Sequence, residues 1–491
     1  MSKMDEIIIG KYTLESLTNG MYASPFDLYR EYVQNAADSI DDAVNREIIR
    51  KSDAKISIEI DHESHRISIL DNGTGIEAEK AEKILLDIGN SRKDRNSNRG
   101  FRGIGRLAGL GYCDRLRFVT SYVGELKRTQ ITFDAKLLRE KLRATKTEEE
   151  SLFDVLNAVT EVNIFDEKEK NHYFLVEMEG VDETSKIMME SDVRDYLVQN
   201  LPLEYKPSFH WGKIITKKIA CIGYEIPDYP IFLKCSGNEE RLYKCYADTF
   251  VSDRVKRYVK AIDDIEILPF SINGKLSAIL WFAKVDYSGT VLDEQIKGIR
   301  IRQGNLLIGN KYTTNQYFKE DRFNGWLLGE LFVLDENMIP NARRDDFEET
   351  LEYIELKSQL LVWSASISKE IRKISLDRSA NAEKKKAIDA VFVQEDENNL
   401  LVENIGFAND DDEIIGEVDE SSYVADNALF DKFQILLGQK SNNYKYKVLS
   451  IRDDIPHEQR RILEKILDIL YLIYPKRKAE TIAEDLIKNY Q

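Results

Sequence analysis

Two hydrophobic periods organise the first third of the chain. Leu28, Tyr32, Ala36 and Ile40 recur every four residues, the spacing of one buried helix face. Ser24-Pro25-Phe26-Asp27 supplies the start of that helix: a Ser cap, a Pro in the first turn and an acid three residues after the cap. The helix is expected to run to about Asn45. Lys55–Ile60 and Arg66–Leu70 alternate with a period of two around His62-Glu63-Ser64-His65 and predict a hairpin. Leu116–Tyr122, Thr129–Phe133, Glu161–Phe165 and Tyr173–Met178 predict further strands, and Val193–Leu201 a helix stopped by Pro202. Strands beside a few helices predict an α+β sandwich. Further on, Ile214–Val285 reads as strand-rich, Ile296–Gly309 as two strands about a Gly-Asn turn, and Glu348–Ile374 as helical. Pro456–Tyr474 reads as an amphipathic helix with Ile462, Ile466, Ile469, Leu470 and Ile473 on one stripe.

Composition narrows the class. A length of 491 residues suggests roughly three domains, and 42% hydrophobic residues is the content of a folded chain. Four Cys with no C-x-x-C pair argue against a disulfide framework and a zinc ribbon. The first residues hold no signal-like apolar stretch, and no apolar run approaches the ~20 residues of a bilayer span, so a cytoplasmic protein without a membrane partner is expected. Lys and Arg number 70 against 87 Asp and Glu, a net −17 that disfavours a dedicated duplex-DNA binder. The charge is uneven: Ala387–Asp431 contains no Lys or Arg, and Glu395–Glu420 within it reads as a boundary between a main body and a small helical tail.

Three constellations carry candidate chemistry. Glu31, Asn35 and Asp38 lie at i, i+4 and i+7, so a carboxylate, an amide and a second carboxylate share one helix face beside the apolar stripe. Taken alone, such a face reads far more readily as a solvated one carrying i,i+4 pairs. Asp71-Asn72-Gly73-Thr74-Gly75-Ile76 follows a strand directly; its glycines let backbone approach a ligand, and its Asp can accept a hydrogen bond from an exocyclic amine. An ordinary turn has the same composition. The segment Gly89-Asn90-Ser91-Arg92-Lys93 through Gly100-Phe101-Arg102-Gly103-Ile104-Gly105 concentrates cations and glycines ahead of a helix, the makings of an anion cradle or of a mobile basic loop.

Taken together, their order and spacing resemble the ATP-binding domain of the GHKL superfamily, which includes gyrase, heat-shock protein 90, histidine kinases and MutL, over about Tyr12–Met178. The resemblance implies an α+β fold with an N-terminal GHKL (Bergerat) α/β sandwich, a second α/β middle domain and a helical C-terminal region. It also implies a Mg²⁺-dependent ATPase in which Glu31 is the general base for the attacking water. Asn35 would supply an oxygen to Mg²⁺, Asp71 would read adenine, and Asp38 would stand beside the pocket. Gly73, Gly75 and Ile76 would border base and sugar. Gly100, Gly103, Ile104 and Gly105 would cradle the phosphates, and a lid containing Asn90, Ser91 and Lys93 would close over them. Thr160 is the candidate for the late-strand Thr of the pocket. None of the five His stands where a phospho-accepting dimerisation helix would begin, which disfavours a histidine kinase.

Gly329–Asp346, with Asn341-Ala342-Arg343-Arg344, is similar to the catalytic loop of the heat-shock protein 90 middle domain. That similarity implies an Arg reaching the γ-phosphate: Arg344, with Arg343 as runner-up, or else a surface pair answering Asp345 and Asp346. The expected domains are residues 1–180 (ATP-binding), 181–205 (connecting helix), 206–350 (middle), 351–394 (helical), 395–430 (acidic linker) and 431–491 (small helical module). The resulting expectation is an ATP-driven conformational clamp with a protein client or partner subunit, forming an ATP-dependent homodimer. The alternatives are a nucleic-acid-acting ATPase like MutL or MORC proteins and an ATPase component of a bacterial defence or stress system.

Overall fold

A computed structural model describes residues 24–87, 105–143, 152–252, 258–287 and 289–404, together with Ile482; from residue 378 to 404 the description is of backbone only. Helix α1 (Asp27–Asn45) starts where the Ser-Pro signal places it. The Asp27 carboxylate accepts the Ser24 N–H at 3.1 Å, half of a capping box. Leu28, Tyr32, Ala36 and Ile40 are buried, as their spacing predicts, and Tyr29, Val33 and Ala37 join them. Helix α1 is thus covered on more than one side.

The hairpin forms as β1 (Ile56–Asp61) and β2 (Arg66–Asp71), in antiparallel register from Ile56 opposite Asp71. After α2 (Ala78–Leu86) and a 3₁₀ segment (Gly105–Gly111) come β3 (Arg115–Ser121), β4 (Lys127–Asp134), α3 (Ala135–Arg143), α4 (Leu152–Val159), β5 (Thr160–Asp166) and β6 (Tyr173–Glu179). All four later strands therefore lie where alternation predicts them. Next are α5 (Glu190–Asn200), α6 (His210–Cys221), β7 (Ile231–Cys235) and β8 (Asn238–Arg241). The first sheet has the order β5-β4-β3-β6-β2-β1-β7-β8.

Three expectations need correction. The start of the stretch read as strand-rich is helix α6, because Ile215 and Ile219 bury one helical face at i, i+4. The boundary at residues 205 and 206 does not separate two sheets: β7 pairs parallel with β1 from Ile231 opposite Ile56, and its Ile231, Leu233 and Cys235 point into the first core. The helical segment placed at 351–394 is part of α7 (Leu351–Asn404), whose backbone stays helical into the stretch read as linker. The helix expected over Pro456–Tyr474 lies outside the described residues.

A second sheet has the order β11-β12-β15-β13-β14, from β11 (Asp264–Ile272), β12 (Lys275–Lys284), β13 (Gly298–Gln303), β14 (Leu306–Ile308) and β15 (Leu328–Val333). Strands β13 and β14 are the two expected about the Gly-Asn turn. Every residue of β15 is buried, so both faces of this sheet's centre are covered. A two-stranded ribbon, β9 (Thr249–Ser252) and β10 (Tyr258–Ala261), completes the strands among the described residues. The chain divides into two units, residues 1–371 and 372–491, and both sheets lie in the first. Among the described residues, no helix is long and apolar enough to cross a membrane.

Candidate functional site

The site forms where α1, the end of β2 and the 3₁₀ segment meet. Tyr32 on α1 ties them: its hydroxyl donates to the Arg106 carbonyl at 3.0 Å and accepts the Gly109 N–H at 2.8 Å. Arg106 in turn donates to the Leu85 carbonyl at 3.0 Å, which fixes the end of α2. Glu31 is thereby set against Gly105. A Cβ at Gly105 would lie 2.2 Å from Glu31 Oε2, so any larger residue there would push this carboxylate aside. The Arg30 guanidinium lies 3.3 Å from Asp27 and 3.6 Å from Glu31. Asn35, one turn on from Glu31, is half-buried, and Asp38 is buried.

Asp71 ends β2 with 3% of its surface exposed. Burial raises its carboxyl to about 7, against the opposing pull of the Gly73 N–H and the Ser39 hydroxyl. The Gly73 N–H donates to Asp71 Oδ1 at 2.8 Å, which curls the chain immediately past the strand. On the other side of Gly73, His172 Nδ1 donates to its carbonyl at 2.7 Å. Gly75 has φ +66°, and a Cβ there would lie 1.9 Å from the Ser121 carbonyl oxygen, so backbone passes backbone closely at this point. The Ile76 N–H donates to Thr120 Oγ1 at 2.8 Å, and that hydroxyl donates to the Tyr173 carbonyl at 3.2 Å.

Thr160 is not part of this arrangement. It opens the outermost strand β5, and β4, β3 and β6 lie between it and β2. Its alternating segment made it a strand residue but could not say which strand would neighbour Asp71. That neighbour is β6, with Phe174 opposite Asp71, and Thr120 on β3 opposite Phe174 in the same row. Asn90, Ser91, Lys93, Gly100, Gly103 and Ile104 lie outside the described residues.

From the second sheet, a loop brings Arg344 to α1. Residues Pro340 and Phe347 form an antiparallel bridge, and the Asn341 N–H donates to the Asp346 carbonyl at 2.9 Å, closing the loop on itself. The Gly309 N–H, just past β14, donates to the Arg344 carbonyl at 2.8 Å and pins it from below. Arg344 has φ +56°, a conformation that costs a non-glycine residue about 1–3 kcal/mol. Its Nε lies 3.5 Å from Glu31 Oε1, and its Nη1 donates to Gln34 Oε1. Arg343 is exposed and makes no such contact among the described residues. Gln34, Thr120 and His172 were not singled out by sequence; Gln34 alone left a signal, standing at i+3 from Glu31 on the same helix.

A buried polar cluster fastens the second sheet to the connecting segment. Glu330 on β15 is fully buried and takes the Lys244 ammonium at 2.7 Å, the Tyr205 hydroxyl at 2.6 Å and the Arg302 guanidinium. Burial would raise the Glu330 carboxyl, but Arg302 and Lys244 hold it down at about 2. Burial pulls Lys244 the other way, down to about 7, against the opposing pull of the Glu330 carboxylate. Arg302 also donates to the Gln199 carbonyl at 2.9 Å, at the end of α5.

Residues 28–165 match the family model described as histidine kinase-, DNA gyrase B-, and HSP90-like ATPase. The match spans α1, the β1–β2 hairpin, the Asp71 loop and the strands behind it, which are the elements that carry Glu31, Asn35, Asp71 and Gly105. Among curated proteins, the chain is similar to the chaperone protein HtpG of Chlorobium phaeobacteroides (strain DSM 266 / SMG 266 / 2430), 36% identical over 85 residues, 16% of this chain and 13% of the relative. It is also similar to HtpG of Mycolicibacterium gilvum (strain PYR-GCK), 26% identical over 137 residues, 24% of this chain and 21% of the relative. The matched stretches thus cover about a fifth or less of those chaperones.

Proposed function

We propose, from a histidine kinase-, DNA gyrase B-, and HSP90-like ATPase domain at residues 28–165, that the chain is an ATP-hydrolysing conformational clamp in the manner of heat-shock protein 90. The observation that carries this reading is the approach of Arg344, from beyond the ATPase domain, to within 3.5 Å of Glu31. A lone nucleotide-binding domain has no use for such an arginine. A hydrolytic site does, because charge on the transferring phosphoryl group needs a cation beside the group that activates water.

The roles follow from position. Asp71 accepts the exocyclic amine of adenine from the floor of the site, and Gly73 and Gly75 let the loop behind it pack closely against Ser39 and the Ser121 carbonyl, where a Cβ would clash. Gly105 keeps the phosphate end open next to Glu31, where a Cβ would fill the space. Glu31 takes the proton of the attacking water, and Arg344 meets the terminal phosphate. For Mg²⁺ the donor set fits a cation held mainly by phosphates and water: Asn35 offers one neutral oxygen a turn from Glu31, and no cluster of three or more His, Cys, Asp or Glu occurs among the described residues. When bound, Mg²⁺ would neutralise part of the phosphate charge, with Asn35 as the protein residue that would help hold it. A protein client or partner subunit, a cytoplasmic setting and an ATP-dependent homodimer belong to the same reading, of which the likeness to chaperone proteins bears on the client alone.

The test is phosphate release by the full chain with ATP and Mg²⁺. Wild type should turn over, Glu31→Ala should bind ATP without turning it over, and chelation should stop the reaction. Turnover by Glu31→Ala at the wild-type rate would sink the assignment. Retention of a bound protein partner by ATP-loaded Glu31→Ala separates the clamp from an ATPase acting on nucleic acid, which would instead show salt-dependent duplex binding.

A further inference from the structure

We infer that Gln34 is a positioning residue for hydrolysis: its side-chain amide seats the Arg344 guanidinium over the Glu31 side of the ATP site. The inference rests on the proposed role of Arg344 and adds to it the group that aims the arginine.

Gln34 is 1% exposed and stands on α1 three residues after Glu31. Its neighbours along the helix, Val33, Ala36 and Ala37, are buried apolar residues, so the position is one that a hydrophobic side chain could fill. The amide has one hydrogen bond among the described residues, from Arg344 Nη1 to its Oε1, while its Nε2 has no partner there. A buried amide with an unpaired N–H is unfavourable, and a well-packed apolar residue would avoid that cost. The bond to Arg344 is what the amide contributes in return.

The chemistry of the acceptor matters. Arg344 sits on a loop at a strained backbone position, and its long side chain has several rotatable bonds to fix before it can meet a phosphate. A carboxylate at position 34 would orient it but would also neutralise it beside Glu31. A neutral amide oxygen accepts from one N–H without adding a second negative charge beside Glu31. Because Gln34 belongs to the same rigid helix as Glu31, the cation and the base are set from one scaffold.

The test is a steady-state ATPase cycle on the full chain with wild type, Gln34→Met, Arg344→Ala and the double variant. Gln34→Met keeps the volume and removes the acceptor. It should lower kcat about ten-fold with KM unchanged, the worth of one charge-assisted orienting bond. In the Arg344→Ala background the same change should have no further effect, because Gln34 acts only through the arginine. Gln34→Leu, a second apolar replacement, must behave alike and guards against one variant failing to fold. The inference is overturned if Gln34→Met turns over like wild type while Arg344→Ala is slowed, or if it slows the Arg344→Ala protein by the same factor as wild type, which marks a merely structural residue. If Arg344→Ala itself turns over like wild type, the arginine's own role fails and the inference fails with it.

Discussion

The sharpest test of the adenine contact proposed for Asp71 is Asp71→Asn, because burial makes opposite demands on stability and on binding. In the free protein the Asp71 carboxyl sits at about 7 against an ordinary 3.8. Below about pH 4 both folded and unfolded chains hold this proton; between about pH 4 and 7 only the folded chain does. Stability therefore falls as pH rises through that window and levels off above about 7. Over the interval from 3.8 to about 7, at 1.36 kcal/mol per pH unit, the ionised carboxylate costs at most on the order of 4 kcal/mol at pH 8. Asparagine removes that charge and can still accept the Gly73 N–H, but it buries an amide with spare donors, which returns about 1–3 kcal/mol of the gain. The variant should therefore melt higher than wild type at pH 8 and lose the pH-dependent fall. Its ATP affinity should drop at least about 100-fold, since an amide N–H2 then meets the adenine amine donor to donor. Thermal unfolding of the full chain at pH 5.5 and pH 8, with ATP titration calorimetry, reads both effects. A variant with the wild-type pH profile, or one that binds ATP like wild type, would refute the argument.

Three further outcomes are expected. Arg344→Ala should lower kcat by about 10³-fold, the scale of an arginine supplied to a transferring phosphoryl group, with little change in ATP affinity by titration; a large loss of affinity would make its role structural. Gly105→Ala, which forces a Cβ to within 2.2 Å of Glu31 Oε2, should cut turnover while leaving the melting temperature close to wild type; unchanged turnover would show that this close approach is not functional. Glu330→Gln should destabilise the fold by about 3–5 kcal/mol in urea unfolding, because it strands the buried Lys244 and Arg302 cations; a change under about 1 kcal/mol would mean that water reaches the cluster.

What could be read from sequence was local. Period-four and period-two patterns located α1, the hairpin and four later strands, since one buried face per element is enough to set such a pattern. Glu31, Asn35 and Asp71 stood out only through the joint resemblance of their motifs to the GHKL pattern; helix spacing and a strand end alone left each with an ordinary reading. Two kinds of information were not local. Pairing between distant strands decided that β6 and not β5 borders Asp71, which is why Thr160 was the wrong candidate and Thr120 went unnoticed. The helical period in Ile215 and Ile219 was lost inside a longer β-rich run, so α6 was missed. Arg344 was legible as a motif, but its partner Gln34 was not, because the two residues are 310 positions apart.

The continuation of the first sheet into β7 and β8 bears on how such an arginine can be aimed. After α5 and α6 the chain returns to pair with β1, so the segment between the two sheets is held at both ends. Asn305, in the turn before β14, donates to the Leu203 carbonyl at 3.3 Å and the Pro227 carbonyl at 2.6 Å, and Arg302 grips the Gln199 carbonyl. A few residues on, Gly309 holds the Arg344 carbonyl. The loop that carries the arginine is therefore referenced through β14 to the same connecting segment that is anchored beside β1. Its reach to Glu31 then depends on a short run of backbone hydrogen bonds and buried contacts. A long flexible tether could not hold a guanidinium within 3.5 Å of a half-buried carboxylate without a large entropic cost; this arrangement has paid most of that cost in folding.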